Sequence, residues 1–267
     1  MDEELRDRLG SAAYRRADFA ADYDRYRPHP PAALLELLPA LAGLDRPRLV
    51  VDLGSGTGLS TRFWADAADE VVGVELNDAM REFAEGTTNA PNVRYVGASA
   101  YETGLPHGCA DLVTAAQSLQ WMKLDRVAPE IVRILRPGGV FCAYNYFRSQ
   151  LQDWAASEAF ENVQRRKHEL VRADGRELPL PHFPDAAGEL EEAGVFRDLR
   201  ELVLHSVEQC DGDRLLGFAL SEGSTRMLLE QGTSEEAIGL DALRAACTEL
   251  REPVPWWLGY RLWLCLK

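Results

Sequence analysis

Between residues 48 and 147 the chain alternates short apolar runs with amphipathic stretches, the pattern of a parallel sheet whose strands are joined by crossover helices. The runs "RLVVDL" (48–53), "EVVGVEL" (70–76), "NVRYVG" (92–97), "ADLVTAAQ" (110–117) and "GVFCAYNY" (139–146) predict five strands. They show little apolar/polar alternation, as strands do when both sheet faces are covered. Between them "STRFWADAA", "NDAMREFAEG" and "LDRVAPEIVRIL" predict helices, the last with Leu124, Val127, Ile131 and Ile134 on one face. "RPGG" (136–139) then ends that helix and turns into the fifth strand.

Beyond residue 147 the rhythm changes. An amphipathic stretch (151–172) leads into the proline-bearing "LPLPHFP" (178–184), then "DLRELVLHSVEQ" (198–209) returns to strand character, and "WWLGYRLWLCLK" (256–267) alternates like a half-buried antiparallel strand. Helical patterns fill 213–231 and 234–250, and "ADFAADYDRYRPHPP" with "AALLELLPALAGL" forms a helical lead-in broken by prolines. We therefore expect one α/β domain over 1–267, with an N-terminal helical segment (1–45) and a helical cap (148–197) added to the sheet.

Composition narrows the function more than the fold. The 267 residues, 46% hydrophobic and 27% charged, fall in the globular range. With 43 acidic against 29 basic residues, a net charge of −14, the chain repels polyphosphate, so nucleic acid is not an expected partner. The basic stretch "VQRRKHELVR" (163–172) carries Val163, Leu170 and Val171 at helical spacing and reads as a solvated helix face. Cys109, Cys142, Cys210, Cys247 and Cys265 stand too far apart to suggest a metal-ligand or redox pair, and read as reduced, buried thiols. The charged opening "MDEELRDRLG" and the lack of a long apolar run predict a cytoplasmic chain with no membrane contact.

The candidate chemistry sits in "VVDLGSGTGLSTRFW" (50–64), where Gly54, Gly56 and Gly58 follow a buried strand and open a helix. Such a βα turn lets a ligand approach the backbone and its N–H groups. A dinucleotide fingerprint wants a glycine at position 59, which is Leu, and a phosphate loop wants a lysine, which the loop lacks. The remaining candidate is an uncharged or zwitterionic adenosyl group. Glu75, ending the second strand, stands where a carboxylate can accept from both ribose hydroxyls, while Asn77 and Asp78 supply the capping of the next helix.

In order and spacing, "VVDLGSGTG", "VVGVELNDAM", "GASAYETGLP", "ADLVTAAQSLQWM" and "ILRPGGVF" resemble the class I S-adenosylmethionine-dependent methyltransferases of the small-molecule branch. The resemblance implies a Rossmann-like, seven-stranded, mostly parallel mixed sheet with an antiparallel last strand, and an N-terminal segment over the cofactor site. It gives Asp52, Gly54, Ser55 and Gly56 the methionine and sulfonium side, Glu75 the ribose, and Leu76 and Met80 the faces of the adenine. Ala98, Ser99 and Ala100 would meet the adenine edge, with Ser99 where the family often has an aspartate. Ala116 and Gln117 would lie beneath the methionine and Trp121 at the mouth. Gln120 stands where related sequences often carry a histidine. Tyr26 and Arg27 would fold over the cofactor, Arg27 offering a charge-assisted bond to its carboxylate.

Methyl transfer from a sulfonium is an in-line displacement by an activated donor, so alignment of donor and acceptor supplies much of the rate. A base is needed only where the acceptor must lose a proton. The weak candidates for such chemistry are His182, His168 and Tyr146; His29, His107 and His205 read as structural. No metal is expected. The partner is a small organic molecule with an oxygen, nitrogen or carboxyl acceptor, and the chain is expected as a monomer or homodimer. A cofactor-binding regulatory protein without turnover is the alternative. A nicotinamide oxidoreductase is disfavoured by Leu59 and by the lack of a hydride-transfer constellation.

Overall fold

The computed structural model describes residues 17–173 and 186–267, so His182 lies outside the described residues. In chain order the elements are α1 (Ala17–Tyr26), α2 (Leu34–Leu41), β1 (Leu49–Leu53), α3 (Leu59–Phe63), β2 (Glu70–Val74), α4 (Asp78–Thr87), β3 (Val93–Val96), β4 (Ala110–Ala116), a 3-10 turn (Leu119–Trp121), α5 (Leu124–Ile134), β5 (Leu135–Leu151), α6 (Trp154–Ala173), α7 (Ala186–Glu192), β6 (Asp198–Cys210), α8 (Gly212–Leu220), α9 (Gly223–Glu230), α10 (Glu235–Ile238), α11 (Leu240–Glu249) and β7 (Val254–Leu266).

The seven strands form one sheet in the order β3-β2-β1-β4-β5-β7-β6. Pairing from β3 through β5 is parallel, with Asp52 of β1 opposite both Gly73 of β2 and Thr114 of β4. β7 runs against β5, because Gly138 N donates to Lys267 O while Gln152 N donates to Pro255 O. It also runs against β6, since Arg197 N donates to Leu266 O. The expected mixed sheet with an antiparallel last strand is thus the observed one.

Two boundaries differ from expectation. β5 begins at Leu135 and ends at Leu151, taking in "RPGG", which bulges out of register between Ala110↔Leu135 and Leu112↔Val140. Its partner β7 accounts for the length, bonding at both ends of the strand. The expected helices over 213–231 and 234–250 are each split, at Ser221–Glu222 and at Gly239, whose φ of +91° breaks helical continuity.

The chain divides into two compact units. Of the described residues, one unit, built around the sheet, takes 29–147, 186–206 and 259–267; the other, mostly helical, takes 17–28, 148–173 and 207–258. The described parts of the segment 1–45 and of the cap 148–197 are each divided between the two. In the sheet unit, Val51, Leu53, Val72, Val113, Phe141 and Trp263 pack with Leu124, Val127, Ile131 and Ile134 of α5, the face read from the sequence. No helix among the described residues is long and apolar enough to cross a membrane.

Candidate functional site

Asp52, near the carboxyl end of β1, is fully buried and holds three hydroxyls. Thr61 Oγ1 and Thr114 Oγ1 each donate to it at 2.8 Å and Ser60 Oγ at 3.3 Å. Burial pushes its carboxyl up to about 6, against the pull of those bonds. Ser60 Oγ also lies 2.6 Å from the hydroxyl of Tyr144, which burial raises well above the usual phenol range. Asp52 therefore anchors the start of α3 to β4.

The three loop glycines have positive φ, at +66°, +55° and +83° for Gly54, Gly56 and Gly58, but they serve different ends. A Cβ on Gly54 would stand 2.8 Å from Ser118 Cβ, and one on Gly58 would stand 2.1 Å from the hydroxyl of Tyr95. Tyr95 fills the same role at Gly73, where a Cβ would meet its ring at 2.5 Å. Only at Gly56 is there room, with Met80 Cε at 3.8 Å as the nearest neighbour. Two of the glycines thus admit protein side chains, and Gly56 alone opens toward space for a ligand.

The loop N–H groups correct a second expectation. Gly54 N and Ser55 N donate to Val74 O, Gly58 N to Ser55 O, and Gly56 N to Glu75 Oε2 at 2.8 Å. They are turned inward, so the loop is no phosphate cradle. What it leaves without a protein partner are two buried hydroxyls, Ser55 Oγ and Thr57 Oγ1.

Glu75 follows β2 and its second oxygen accepts from Asn77 N at 2.7 Å. Burial raises its carboxyl despite these N–H bonds. Asn77 caps α4 by accepting from Met80 N, and Asp78 follows in the first turn, as the sequence suggested. Met80 is buried beneath Gly56 while Leu76 is 70% exposed beside Glu75, an apolar side chain held out in water. Ser99 Oγ accepts from Tyr101 N at 3.2 Å, which leaves its O–H free to donate.

At the end of β4 Gln117 takes φ +53°, the one left-handed non-glycine among the described residues. Its N–H donates to Tyr144 O and its side-chain amide nitrogen is buried without a partner. Ser118 ties this turn to β1 by donating to Leu53 O at 2.7 Å. Ala116 and Trp121 flank the turn, half-buried, and Tyr146 packs edge-on against Tyr260 at 6.2 Å.

Sequence reasoning brings Asp52, Gly54, Ser55, Gly56, Glu75, Leu76 and Met80 to one place. It missed Ser60, Thr61, Thr114 and Tyr95, which support that place through side chains distant in sequence. Tyr26 and Arg27 belong to the helical unit. There Tyr26 lies over Gly217 of α8, and Arg27 donates to Ser221 O at 2.8 Å and stacks on Tyr23 and Phe218. His168 lies on α6 of the same unit. All five cysteines are free, and burial holds Cys210, Cys247 and Cys265 up at about 12, 11 and 12, so thiolate chemistry is suppressed.

Residues 51–143 match the family profile described as "Methyltransferase domain". Over that span the chain is similar to known methyltransferases. An uncharacterised methyltransferase of Mycobacterium tuberculosis is 38% identical over 122 residues, 44% of this chain and 46% of that protein. The trans-aconitate 2-methyltransferase of Methylobacterium radiotolerans is 33% identical over 66% of this chain and 64% of its own. The first of these alignments spans about half the relative's length. A solved structure assigned as a type II methyltransferase, from Anaeromyxobacter dehalogenans, superposes with a TM-score of 0.69 at 25% identity, covering 90% of this chain and 97% of that one.

Proposed function

We propose that the chain transfers a methyl group from S-adenosylmethionine to a small organic molecule, through an oxygen, nitrogen or carboxyl acceptor. One observation carries this reading: Glu75, half-buried, stands against Gly56, the single loop glycine with open space above it. The orphan hydroxyl of Ser55 and the exposed Leu76 support the fit, giving the site an unmet polar atom on one side and an apolar surface on the other.

In this reading Glu75 accepts from the ribose hydroxyls, Leu76 and Met80 cover the adenine faces, and Ser99, between Ala98 and Ala100, donates to the adenine edge. Ser55 and Gly56 face the methionine side, with Ala116, Gln117 and Trp121 completing it, while Gly54 makes room for Ser118. Asp52 acts through the loop by pinning α3. Tyr26 and Arg27, which belong to the helical unit, keep the place over the cofactor that the resemblance implies. The bound cofactor supplies an activated methyl on a cationic sulphur. The protein's part is to hold donor and acceptor in line and keep water out, the source of most of the rate in such displacements.

Calorimetric titration of S-adenosylmethionine and S-adenosylhomocysteine tests the reading. Wild type is expected to bind both, and Glu75→Ala to bind about 10- to 150-fold more weakly, the loss of hydrogen bonds to a charged group worth roughly 1.5–3 kcal/mol. No binding by folded wild type sinks it. Binding without release of S-adenosylhomocysteine across an acceptor screen would favour a regulatory, non-catalytic role.

A further inference from the structure

Three carboxamides line up where β4 and β5 end their pairing. Ala116 and Tyr144 are the last residues in register, so Gln117 and Asn145 are the next on each strand. Gln120 Nε2 donates to the backbone carbonyl of Gln117 at 2.7 Å, and Asn145 Nδ2 donates to Gln120 Oε1 at 3.3 Å. Asn145 is 4% exposed, and its Oδ1 is buried with no partner.

This chain of bonds fixes the direction of every amide in it. A backbone carbonyl can only accept, so Gln120 must turn its nitrogen toward Gln117 and its oxygen toward Asn145. Asn145 must then answer with its nitrogen. Its oxygen is left over, and flipping either amide would set two acceptors against each other. A buried acceptor left unmet costs about 1–3 kcal/mol, so it is retained where something else supplies the hydrogen. The neighbouring strain at Gln117 and its unmet amide nitrogen mark the same spot. Ser118 joins this spot to the floor of the glycine loop, where its Cβ leaves no room for a side chain at Gly54.

Resting on the methyltransferase reading above, we infer that Asn145 Oδ1 receives the hydrogen of the methyl acceptor, which is therefore a hydroxyl or amine and not an ionised carboxylate. A carboxylate offers only lone pairs and would face Asn145 Oδ1 with like charge. Gln120 is the positioning residue that holds Asn145 in this direction. As the lone pair of the acceptor forms its bond to the methyl carbon, the carbon–sulphur bond breaks and S-adenosylhomocysteine leaves. Asn145 Oδ1 orients the acceptor through its hydrogen but takes up no proton, which passes from the methylated oxonium or ammonium product to solvent.

The test uses three probes of one shape, phenol, aniline and benzoate, titrated by NMR into protein saturated with S-adenosylhomocysteine. The shared ring leaves the polar group as the one difference among the three probes. Saturation is established first by titration of S-adenosylhomocysteine alone; its failure to bind would defeat the cofactor reading instead. Phenol or aniline is expected to bind at least about tenfold more tightly than benzoate, and Asn145→Leu to erase that preference without weakening S-adenosylhomocysteine. Gln120→Leu, at a half-exposed position, frees Asn145 to turn and is expected to shrink the preference, and it carries the test if Asn145→Leu does not fold. Benzoate binding as tightly as phenol and aniline, a preference that survives both substitutions, or no binding by any of the three would overturn the inference.

Discussion

The carboxyl edge of the sheet is polar in two opposite ways. Beneath β1 and β2 stand two carboxylates whose oxygens are used within the fold, Asp52 by three hydroxyls and Glu75 by two backbone N–H groups. Beyond β4 and β5 stand neutral amides joined by two bonds, with an acceptor left over. An unpaired buried charge costs far more than an unpaired buried amide. The first region therefore had to be satisfied internally to exist, and could be spent on holding a loop's shape. The second can wait, half-bonded, for a ligand.

The contrast can be broken most severely at Gly58. Gly58→Ala pushes a methyl into Tyr95 at a left-handed φ, and a loss of roughly 2–4 kcal/mol in denaturant unfolding is expected. Gly56→Ala, with open space above it, should cost only the backbone strain, about 1–2 kcal/mol, while its methyl intrudes on the cofactor and weakens S-adenosylhomocysteine in calorimetry.

Acid titration sharpens the difference next. The folded chain favours protonated Asp52, whose folded value of about 6 lies above the ordinary carboxylate value near 4. Its contribution is complete below pH 4 and is lost as pH rises through 6, on the order of 2–3 kcal/mol in all. Glu75 acts in the same direction. Glu130, held down to about 2 against burial by Arg133 and Thr103, acts oppositely, and its share is lost as pH falls from above 4 through 2. Asp52→Asn should flatten the decline between pH 4 and 6 in thermal melts, whereas Asn145→Leu should leave that slope intact. The smallest effect is expected at Leu76. Leu76→Ala should change stability by less than about 0.5 kcal/mol, given its exposure, and still weaken S-adenosylhomocysteine several-fold.

Most of the sheet could be read along the chain because its strands are short apolar runs and α5 presents Leu124, Val127, Ile131 and Ile134 at helical spacing. The extent of β5 could not, because "RPGG" reads as a turn unless β7, more than a hundred residues later, is known to pair beside it. Asp52 and Glu75 stood out as acids closing apolar strands. The partners of Asp52 did not, since Thr114 is an ordinary threonine until the register sets it opposite Asp52. Asn145 stands out along the chain as an amide near the end of the apolar run "GVFCAYNY", at the carboxyl edge where ligands of such sheets bind, but its unmet acceptor does not, since that depends on Gln120. The glycines misled in part, because spacing alone cannot tell a residue cleared for a ligand from one cleared for Tyr95.

The left-handed backbone at Gln117 has a consequence for anyone engineering this scaffold. A screen that rewards heat resistance would find Gln117→Gly attractive, since glycine relaxes that conformation at no steric cost. Such a clone would outlast its parent in the incubator and lose the amide beside the acceptor, so selection for durability and selection for turnover would pull this one codon in opposite directions.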